Sequence, residues 1–165
     1  MKNRAIEFEK SGKSRTFIVY DESDQIFKVL GYYSLAIQIF KIPEEYSNRQ
    51  RKILDGFNAK IKGEKITEIP AYLIGQFAKN DLYKGFISGN LLMQFCLNSI
   101  LDAQQKVAGR LVILECKDEP KLIEFYNRFD FKKVEKNYSE DEFIQMIRVF
   151  SKEEIVCSDS DISLT

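Results

Sequence analysis

The 165-residue chain contains no histidine and no tryptophan, and it has only three prolines and three cysteines. Without histidine there can be no Ser-His-Asp triad and no histidine-ligated zinc site, so any catalytic proton must move through a carboxylate, tyrosine, lysine, cysteine or water. The cysteines, Cys96, Cys116 and Cys157, are odd in number and lack metal-ligand spacing. We therefore expect free thiols and no metal site.

The sequence also lacks a net charge and a long apolar run. Its 25 Lys and Arg residues balance 25 Asp and Glu residues, so no overall basic field points to nucleic acid. It has no apolar stretch of about 18 residues and no signal-peptide pattern, which predicts a cytoplasmic protein that does not span a membrane. With 44% apolar and 30% charged residues, we expect one globular domain at 1–150, followed by an acidic, serine-bearing tail at 151–165.

The most informative stretch begins with the apolar run Tyr72–Ala78, which has the length of a buried strand and lies between Pro70 and an Asn-Asp pair. A loop of sequence KGFISG follows, from Lys84 to Gly89. Beyond it, apolar residues recur at helical spacing and predict a helix with one buried stripe. The stripe comprises Leu92, Cys96, Ile100 and Ala103, and Leu91 and Phe95 are expected to widen it.

A glycine loop that opens a helix directly after a strand can bind an anion. The first backbone N–H groups of the helix have no internal partner, and the helix dipole favours negative charge there. Lys84 adds a positive charge at the rim. The loop is neither a P-loop, which ends in Gly-Lys-Ser/Thr, nor a G-x-G-x-x-G fingerprint, and taken alone it indicates a turn and a helix cap more often than a phosphate site.

A second stretch, Arg110–Phe131, reads RLVILECKDEPKLIEFYNRFDF. Leu111–Cys116 has the pattern of a strand, and an Asp-Glu-Pro sequence then predicts the start of a short helix. The apolar residues of that helix form its buried side: Leu122, Ile123, Phe125 and Tyr126.

Together, the segments IGQFAKN, YKGFISGNLLM and ECKDEPKLIEFYNRFDF resemble the GNAT N-acetyltransferases. They are most similar to the subgroup that contains the acetyltransferase toxins of bacterial toxin–antitoxin pairs. GYYSLA at Gly31–Ala36 and SGKSRTFIVYDE at Ser11–Glu22 resemble the same subgroup, so the likeness extends over nearly the whole chain to Phe150.

This resemblance implies an α/β (α+β) GNAT fold, a mixed central sheet flanked by helices, without the first strand and first helix of the family. Met1–Lys10 should be helical and correspond to the family's second helix, and Arg15–Tyr20 should be the first strand of the chain. That strand would lie at an open sheet edge, which a partner chain or the tail could cover. A second strand, Ile26–Phe40, is expected to break at Gly31, with Tyr32 and Tyr33 on opposite faces, where either could line the acceptor site or simply pack.

The resemblance also implies a site for acetyl-CoA as cosubstrate. The backbone of Phe77, Ala78 and Lys79 would hold the pantetheine arm, and the loop would hold the pyrophosphate. The loop residues concerned are Lys84, Gly85, Ile87, Ser88, Gly89 and Asn90. Tyr126 lies at the position of the family's tyrosine, whose hydroxyl donates to the departing sulfur. Three positions depart from the family pattern: Lys84 stands where a glutamine is usual, and Ile87 and Asp130 each stand where a glycine is usual.

The function implied is an acetyl-CoA-dependent N-acetyltransferase in which a primary amine attacks directly in a ternary complex. The alternatives are a toxin-like enzyme acting on aminoacyl-tRNA and a catalytically decayed GNAT scaffold that acts as a binding protein. An antitoxin or a second copy of the chain is a candidate partner, and tRNA is not favoured. Glu115 is a candidate general base, and Cys116 is either an acyl carrier or a buried structural thiol.

One local concentration of positive charge lies between Arg49 and Lys65, partly on a surface helix predicted at Asn48–Ala59 with Ser47 as its cap. It is either a solvated face or a contact for RNA phosphates. If RNA binds, we expect Arg51 and Lys52 to take part.

Overall fold

The computed structural model describes residues 2–23, 26–139 and 143–156. These residues form five helices and eight strands, with one additional 3-10 turn at Asp81–Tyr83. In chain order the elements are α1 Lys2–Lys10, β1 Arg15–Asp21, β2 Lys28–Lys41, α2 Asn48–Asp55, β3 Lys60–Ile61, β4 Glu64–Lys65, β5 Glu68–Lys79, α3 Gly89–Val107, β6 Leu111–Cys116, α4 Pro120–Asn127, β7 Lys132–Lys133, β8 Ile144–Val149 and α5 Lys152–Val156.

Six of the described strands form one mixed sheet in the order β1-β2-β5-β6-β8-β7, and β3 and β4 form a separate hairpin. Neighbouring strands are antiparallel except for β5 and β6, which are parallel and joined by the crossover helix α3. The predicted mixed sheet flanked by helices is confirmed, and so are the positions of β6 and α4.

The N-terminal elements also lie where the sequence places them, with α1 preceding β1, the first strand of the described chain. The Glu9 carboxylate on α1 accepts hydrogen bonds from Arg15 Nη1 at 3.0 Å and from the Thr16 N–H at 2.7 Å. These bonds, that of Arg15 first, lower the pKa of the Glu9 carboxyl below its ordinary value. They tie α1 to the outer edge of β1.

Strand β2 runs without interruption through Gly31, so the predicted break there is wrong. Gly31 is needed for close packing, because a Cβ at this position would lie 2.9 Å from the Ala78 carbonyl oxygen and 3.1 Å from Leu92 Cδ2. Strand β2 also extends further than β1, which begins at Arg15 opposite Leu35.

The two faces of the sheet carry two separate apolar clusters. Helices α3 and α4 cover one face, where the cluster includes Leu92, Cys96, Ile100, Val112, Leu114, Cys116, Tyr126, Ile144 and Met146. Helix α2 and the segments beside it cover the other face, where the cluster includes Phe40, Tyr46, Leu54, Ile66, Leu111, Ile113 and Ile147. Within these residues no helix is long and apolar enough to cross a bilayer.

The predicted stripe of α3 is buried at Leu92, Cys96 and Ile100, but the flank that widens it is not the predicted one. Leu91 and Phe95, expected to widen it, are 41% and 39% exposed. Met93 and Leu97 are buried instead, on the other flank of the stripe. Both flanks are apolar, so the periodicity alone could not tell which of them faces the sheet.

Helix α2 begins as predicted, because Ser47 and Gln50 form a capping box. It ends at Asp55, four residues before the expected end at Ala59, because Gly56 adopts a left-handed conformation with φ of 91° and stops the helix.

At the C-terminus, residues 152–156, which the sequence assigns to the tail, form the short helix α5. Glu154 on this helix forms an ion pair with Arg148 of β8, and Arg148 Nε donates to the Phe129 carbonyl oxygen at 3.0 Å. The rest of the tail, residues 157–165 with Cys157, lies outside the described residues, so the domain boundary stays a prediction.

Candidate active site

Strands β5 and β6 pair over only four residues, Ala71–Ile74 with Leu111–Leu114, and then separate. Beyond this point β5 pairs only with β2, and β6 only with β8. Within the described chain, the edge of residues 75–79 that faces β6 therefore has no strand partner, and its backbone groups are available to an extended ligand. We call residues 75–79 the free arm of β5. The predicted residues Phe77, Ala78 and Lys79 all lie on it.

A β-bulge at Gly75 marks the start of the free arm. Ser34 pairs with Gln76 and the next residue, Leu35, pairs with Ile74, so Gly75 has no partner of its own on β2. A Cβ at Gly75 would lie 3.3 Å from Ser34 Oγ. The bulge was not among the predictions, although a lone glycine inside a strand pattern is its usual signal.

The loop after β5 is held to β2 by Asn80. Its side chain donates from Nδ2 to the Val29 carbonyl oxygen at 2.8 Å, and its backbone N–H donates to the Leu30 carbonyl oxygen at 2.8 Å. The same side chain accepts from the Leu82 N–H at 3.0 Å. Asn80, predicted only to mark the end of the strand, therefore fixes the entry to the loop.

Gly85 and Ile87 play different parts in the loop. Gly85 has φ of 97°, a conformation that favours glycine. Ile87, which replaces a glycine of the family pattern, has no positive φ, and its side chain is buried in the cluster beneath α3. The isoleucine thus anchors the loop to the core without backbone strain.

Helix α3 begins at the end of this loop, with Ser88 as its N-cap accepting from the Leu91 N–H at 3.0 Å. The N–H groups of Gly89 and Asn90, in the first turn, remain directed out of the helix. A Cβ at Gly89 would lie 3.2 Å from Phe125 Cε2 of α4. Glycine therefore lets α4 approach the start of α3 closely.

Two lysines lie beside this helix start. Lys79 Nζ donates to the Ile87 carbonyl oxygen at 3.2 Å, which holds it against the loop. Lys84, predicted at the rim, is 3.4 Å from Asp81 with both side chains well exposed. A screened surface pair of this kind is weak, so Lys84 can turn toward an anion at little cost.

Tyr126 projects from α4 into the apolar cluster between α3 and β6 and is 8% exposed. Its ring makes edge contacts with Phe125 and Phe131, at centroid distances of 5.2 and 6.0 Å. Burial raises the pKa of the Tyr126 hydroxyl to about 12, and Cys116 and Cys96 contribute to the rise. Among the described residues the hydroxyl has no hydrogen-bond partner. It is therefore a protonated group that can donate a hydrogen bond to a ligand atom.

The two described thiols, Cys96 and Cys116, are buried and free. Burial raises the pKa of Cys96 to about 12, and it also raises the pKa of Cys116, whose Sγ lies 3.8 Å from Met146 Sδ. A thiol that stays protonated is a poor nucleophile, which favours the structural interpretation of Cys116. Glu115 precedes it on β6 and is exposed, opposite Gln145 of β8.

Asp130 follows α4 with φ of 62°, in the left-handed region that favours glycine. The departure from the family pattern is thus tolerated because aspartate is among the residues that enter this region most easily. The described residues contain no group of three or more acidic or cysteine side chains that could hold a metal ion.

Arg51 corrects the expectation for the basic segment, because it is only 2% exposed and cannot reach a phosphate. Its guanidinium donates to four backbone carbonyl oxygens: Tyr46 at 3.0 Å, Pro43 at 2.9 Å, Glu44 at 3.1 Å, and Ile66. The other basic residues of the segment, Arg49, Lys52, Lys60, Lys62 and Lys65, are exposed. Tyr33 is likewise buried, with its hydroxyl 2.7 Å from Ser99 Oγ, whereas Tyr32 stays partly exposed.

A six-stranded mixed sheet whose central parallel pair separates beside the capped start of the crossover helix is the architecture of the GNAT fold. No family model and no curated protein sequence matches the chain. Solved structures do. AtaT complexed with acetyl-methionyl-tRNAfMet matches with a TM-score of 0.64 and 18% identity, over 96% of this chain and 83% of that chain.

Two further toxin structures are similar. AtaTR bound with acetyl-CoA has a TM-score of 0.62 and 21% identity, over 90% of this chain and 77% of that chain. A tyrosine-to-phenylalanine mutant of KacT has a TM-score of 0.60 and 18% identity, over 87% and 75%. The chain therefore has the fold of the GNAT toxin acetyltransferases, and the resemblance read from the sequence is confirmed at the level of the fold.

Proposed function

We propose that this chain is an acetyl-CoA-dependent N-acetyltransferase that transfers an acetyl group to a primary amine by direct attack in a ternary complex. The observation that carries the proposal is the separation of β5 from β6 next to the first turn of α3. A free strand edge suits the amide-bearing pantetheine arm, and a helix start suits a pyrophosphate. The similar AtaTR structure was solved with acetyl-CoA bound, which supports the assignment.

The chain's own groups match both parts of such a cosubstrate. The backbone of Phe77, Ala78 and Lys79 would pair with the pantetheine amides, as an added strand does. The N–H groups of Gly89 and Asn90 would donate to pyrophosphate oxygens, with Lys84 supplying charge from the rim. The buried side chain of Ile87 would hold the loop in place.

Acetyl transfer forms a bond between the amine nitrogen and the acetyl carbon and breaks the carbon–sulfur bond. The sulfur must gain a proton, and the amine nitrogen must lose one. We propose that Tyr126 donates this proton to the sulfur, which is supported by a hydroxyl that is protonated at neutral pH and has no other partner among the described residues. Glu115, exposed at the end of β6, is a candidate acceptor for the amine proton through water.

Two measurements test the proposal. Titration calorimetry should show acetyl-CoA binding to the purified chain. Release of the CoA thiol, followed with a thiol-reactive dye, should then depend on an added amine whose mass rises by one acetyl group. Absence of binding would support a decayed scaffold, and binding without amine-dependent thiol release would exclude transferase activity on the amines offered.

A second candidate acceptor, aminoacyl-tRNA, is supported by the β3–β4 hairpin. Lys60 pairs directly with Lys65 across this hairpin, and Lys62 stands at its tip with φ of 51°. Like charges opposite each other destabilise a strand pair, and an anionic ligand would offset that cost. AtaT was solved with acetyl-methionyl-tRNAfMet. We propose that the hairpin is where RNA phosphates would contact this chain, and that Arg51 takes no part.

Replacing Lys60, Lys62 and Lys65 together by alanine tests this candidate. Each lost phosphate contact should flatten the slope of log affinity against log salt by about 0.9, or slightly less on single-stranded RNA. Filter binding with charged tRNA across a salt series measures the slope. Alanine at the exposed lysines Lys106, Lys121 and Lys152 is the matched control. If the triple variant binds like the control, the hairpin is a solvated surface and the small-amine acceptor is favoured.

AtaT and KacT were also solved in toxin–antitoxin complexes, one with the C-terminus of the antitoxin AtaR and one with DNA. By analogy, we propose an antitoxin-type protein as a partner of this chain, which co-expression with the product of a neighbouring small gene would test.

A further inference from the structure

Ser34 of β2 carries a hydroxyl that has no partner within the part of the chain that the structure describes. The residue is only 8% exposed, and no described residue forms a hydrogen bond with its Oγ. A hydroxyl that is removed from water without a partner costs free energy, so such a group in a folded protein calls for a ligand or an ordered water. The hydroxyl thus marks a place where a small polar ligand would bind.

This hydroxyl lies beside the point where β5 and β6 separate. Ser34 pairs with Gln76, and Gly75 is the first residue of β5 beyond the segment that pairs with β6. A Cβ at Gly75 would lie 3.3 Å from Ser34 Oγ, so a side chain there would crowd the hydroxyl. Glycine leaves the hydroxyl open to the gap beside the free arm, where the pantetheine of the proposed cosubstrate would lie.

The hydroxyl faces away from helices α3 and α4. The neighbouring residues of β2, β5 and β6 lie in the cluster beneath those helices: Tyr33, Phe77 and Leu114. Since side chains alternate between the two faces of a sheet, Ser34, Gln76 and Glu115 lie on the opposite face. On that face the cluster beneath α2 reaches Leu73 and Ile113, whereas Gln76 and Glu115 are exposed. This end of the face is therefore open to solvent.

The three side chains offer the groups that an amine needs. The Ser34 hydroxyl and the Gln76 amide oxygen can accept N–H hydrogen bonds, and the Glu115 carboxylate attracts a cation. Among the described residues, neither the Gln76 side chain nor the Glu115 carboxylate has a hydrogen bond or an ion pair. Tyr126, the proposed donor to the sulfur, lies on the other face, beneath α3 and α4. The sheet thus separates the two groups that would exchange protons with the reactants.

We propose that Ser34 holds the attacking amine of the acceptor, which enters the gap from the face opposite α3 and α4. This inference rests on the proposed function and names the group that positions its second substrate. Ser34 Oγ accepts a hydrogen bond from one amine N–H, which directs the nitrogen lone pair into the gap toward the acetyl carbon. As the carbon–nitrogen bond forms and the carbon–sulfur bond breaks, the surplus proton on nitrogen passes through water to Glu115, and the sulfur takes a proton from Tyr126.

Ser34→Ala tests the proposal, because alanine removes only the hydroxyl. Glycinamide, ethanolamine and charged tRNA are offered with acetyl-CoA, and the acceptor with the highest kcat/KM is then used throughout. The KM for that amine should rise about 3- to 10-fold, as expected for the loss of one hydrogen bond, while the acetyl-CoA affinity from calorimetry stays unchanged. Stability in urea should not fall, since the hydroxyl has no protein partner to lose among the described residues.

Ser99→Ala is the matched control for Ser34→Ala. The Ser99 hydroxyl is bonded to the Tyr33 hydroxyl and to the Phe95 carbonyl oxygen, so its loss should lower stability in urea and leave the KM for the amine unchanged. An unchanged amine KM in Ser34→Ala, or an equal rise in both variants, would overturn the proposal.

The double variant Ser34→Ala/Glu115→Gln tests whether the two residues act on the same amine. If they do, its loss in kcat/KM should be smaller than the product of the two single losses, because residues that share a partner are not additive. A loss equal to that product would mean that Ser34 does not hold the amine that Glu115 deprotonates. A parent chain that releases no CoA thiol with any of the three acceptors fails the proposed function itself, whereas a fully active Ser34→Ala fails this inference alone.

Discussion

At the scale of single residues, Gly89 combines two requirements at the start of α3. It supplies an outward N–H in the first turn, and it leaves room for Phe125, which a Cβ would approach to 3.2 Å. Gly89→Glu would place bulk and a negative charge where a pyrophosphate should bind. We expect acetyl-CoA affinity, measured by titration calorimetry, to fall at least about tenfold.

The steric part of that change is separated from the charge by Gly89→Ala. Alanine meets Phe125 in the same way but adds no carboxylate, so it should retain most of the affinity. If a folded Gly89→Glu protein binds acetyl-CoA as tightly as the parent chain, the first turn of α3 is not the pyrophosphate site.

Tyr126→Phe removes a hydroxyl that has no partner among the described residues and leaves the ring contacts with Phe125 and Phe131 in place. Since general-acid groups contribute about 10²–10⁴-fold, we expect turnover to fall within or near that range. Acetyl-CoA affinity should change little, as calorimetry would show.

The matched control for Tyr126→Phe is Tyr33→Phe, which removes the hydroxyl of another buried tyrosine. That hydroxyl is bonded to Ser99 Oγ and the Phe95 carbonyl oxygen, so its loss should cost about 1 kcal/mol of stability and leave turnover intact. Equal turnover in Tyr126→Phe and the parent chain would make Tyr126 a packing residue.

At the scale of elements, Arg51 connects α2 to the two segments that flank it. Its guanidinium joins carbonyl groups before the helix, at Pro43, Glu44 and Tyr46, to the Ile66 carbonyl before β5. Arg51→Ala would leave several of these acceptors unsatisfied. We expect the free energy of unfolding to fall by at least about 3 kcal/mol in urea denaturation.

Lys52→Ala is the control for Arg51→Ala, since Lys52 is the adjacent basic residue and is exposed. Surface substitutions of this kind usually change stability by no more than about 0.5 kcal/mol. Similar small losses in both variants would mean that the carbonyl groups around Arg51 find water instead.

The elements that could be predicted from sequence are those with a strong local signal. Strand β6 and helix α4 lie where predicted, because an apolar run is followed by acidic residues and a proline at the helix start. Which flank of the α3 stripe is buried could not be predicted, because Leu91 and Phe95 are as apolar as Met93 and Leu97. The burial of Arg51 could not be predicted either, since the acceptors that satisfy it come from loops with no pattern of their own.

In the candidate site, too, the residues that could be predicted are those on elements with a strong local signal. The sequence placed Gly89 at a helix start and Tyr126 on the following short helix, and the structure has both there. The functions of these residues remain predictions. The bulge at Gly75 does have a local signal, a lone glycine inside a strand pattern, whereas the packing role of Gly31 depends on Ala78 and Leu92, which no local pattern reveals.

At the scale of the whole molecule, the buried thiol and phenol predict how stability depends on pH. Burial raises the pKa of Cys96 from 9.0 to about 12 and that of Tyr126 from 10.0 to about 12. Above pH 9 the unfolded chain releases these protons while the folded chain keeps them. Stability should therefore fall as pH rises from about 9 to 12, by up to about 1.4 kcal/mol per pH unit for each such proton.

Urea unfolding at pH 8, 9, 10 and 11 measures this dependence, and Cys96→Ala isolates one group. The variant should be less stable at pH 8 because it leaves a cavity, but it should lose less stability on going to pH 11. Parallel curves for the parent chain and Cys96→Ala would show that this thiol titrates normally in the folded state.

The extra residue at Gly75 changes which side chains an alignment can equate. Before it, the even-numbered Tyr72 and Ile74 face helix α3; after it, the odd-numbered Phe77 does. From Gly75 to the loop, each side chain therefore lies on the face of the sheet opposite to the one that simple alternation from Tyr72 would give it. Any relative that lacks the extra residue must be aligned with a one-residue gap here, or its inward and outward side chains will be exchanged along the arm proposed to bind the cosubstrate.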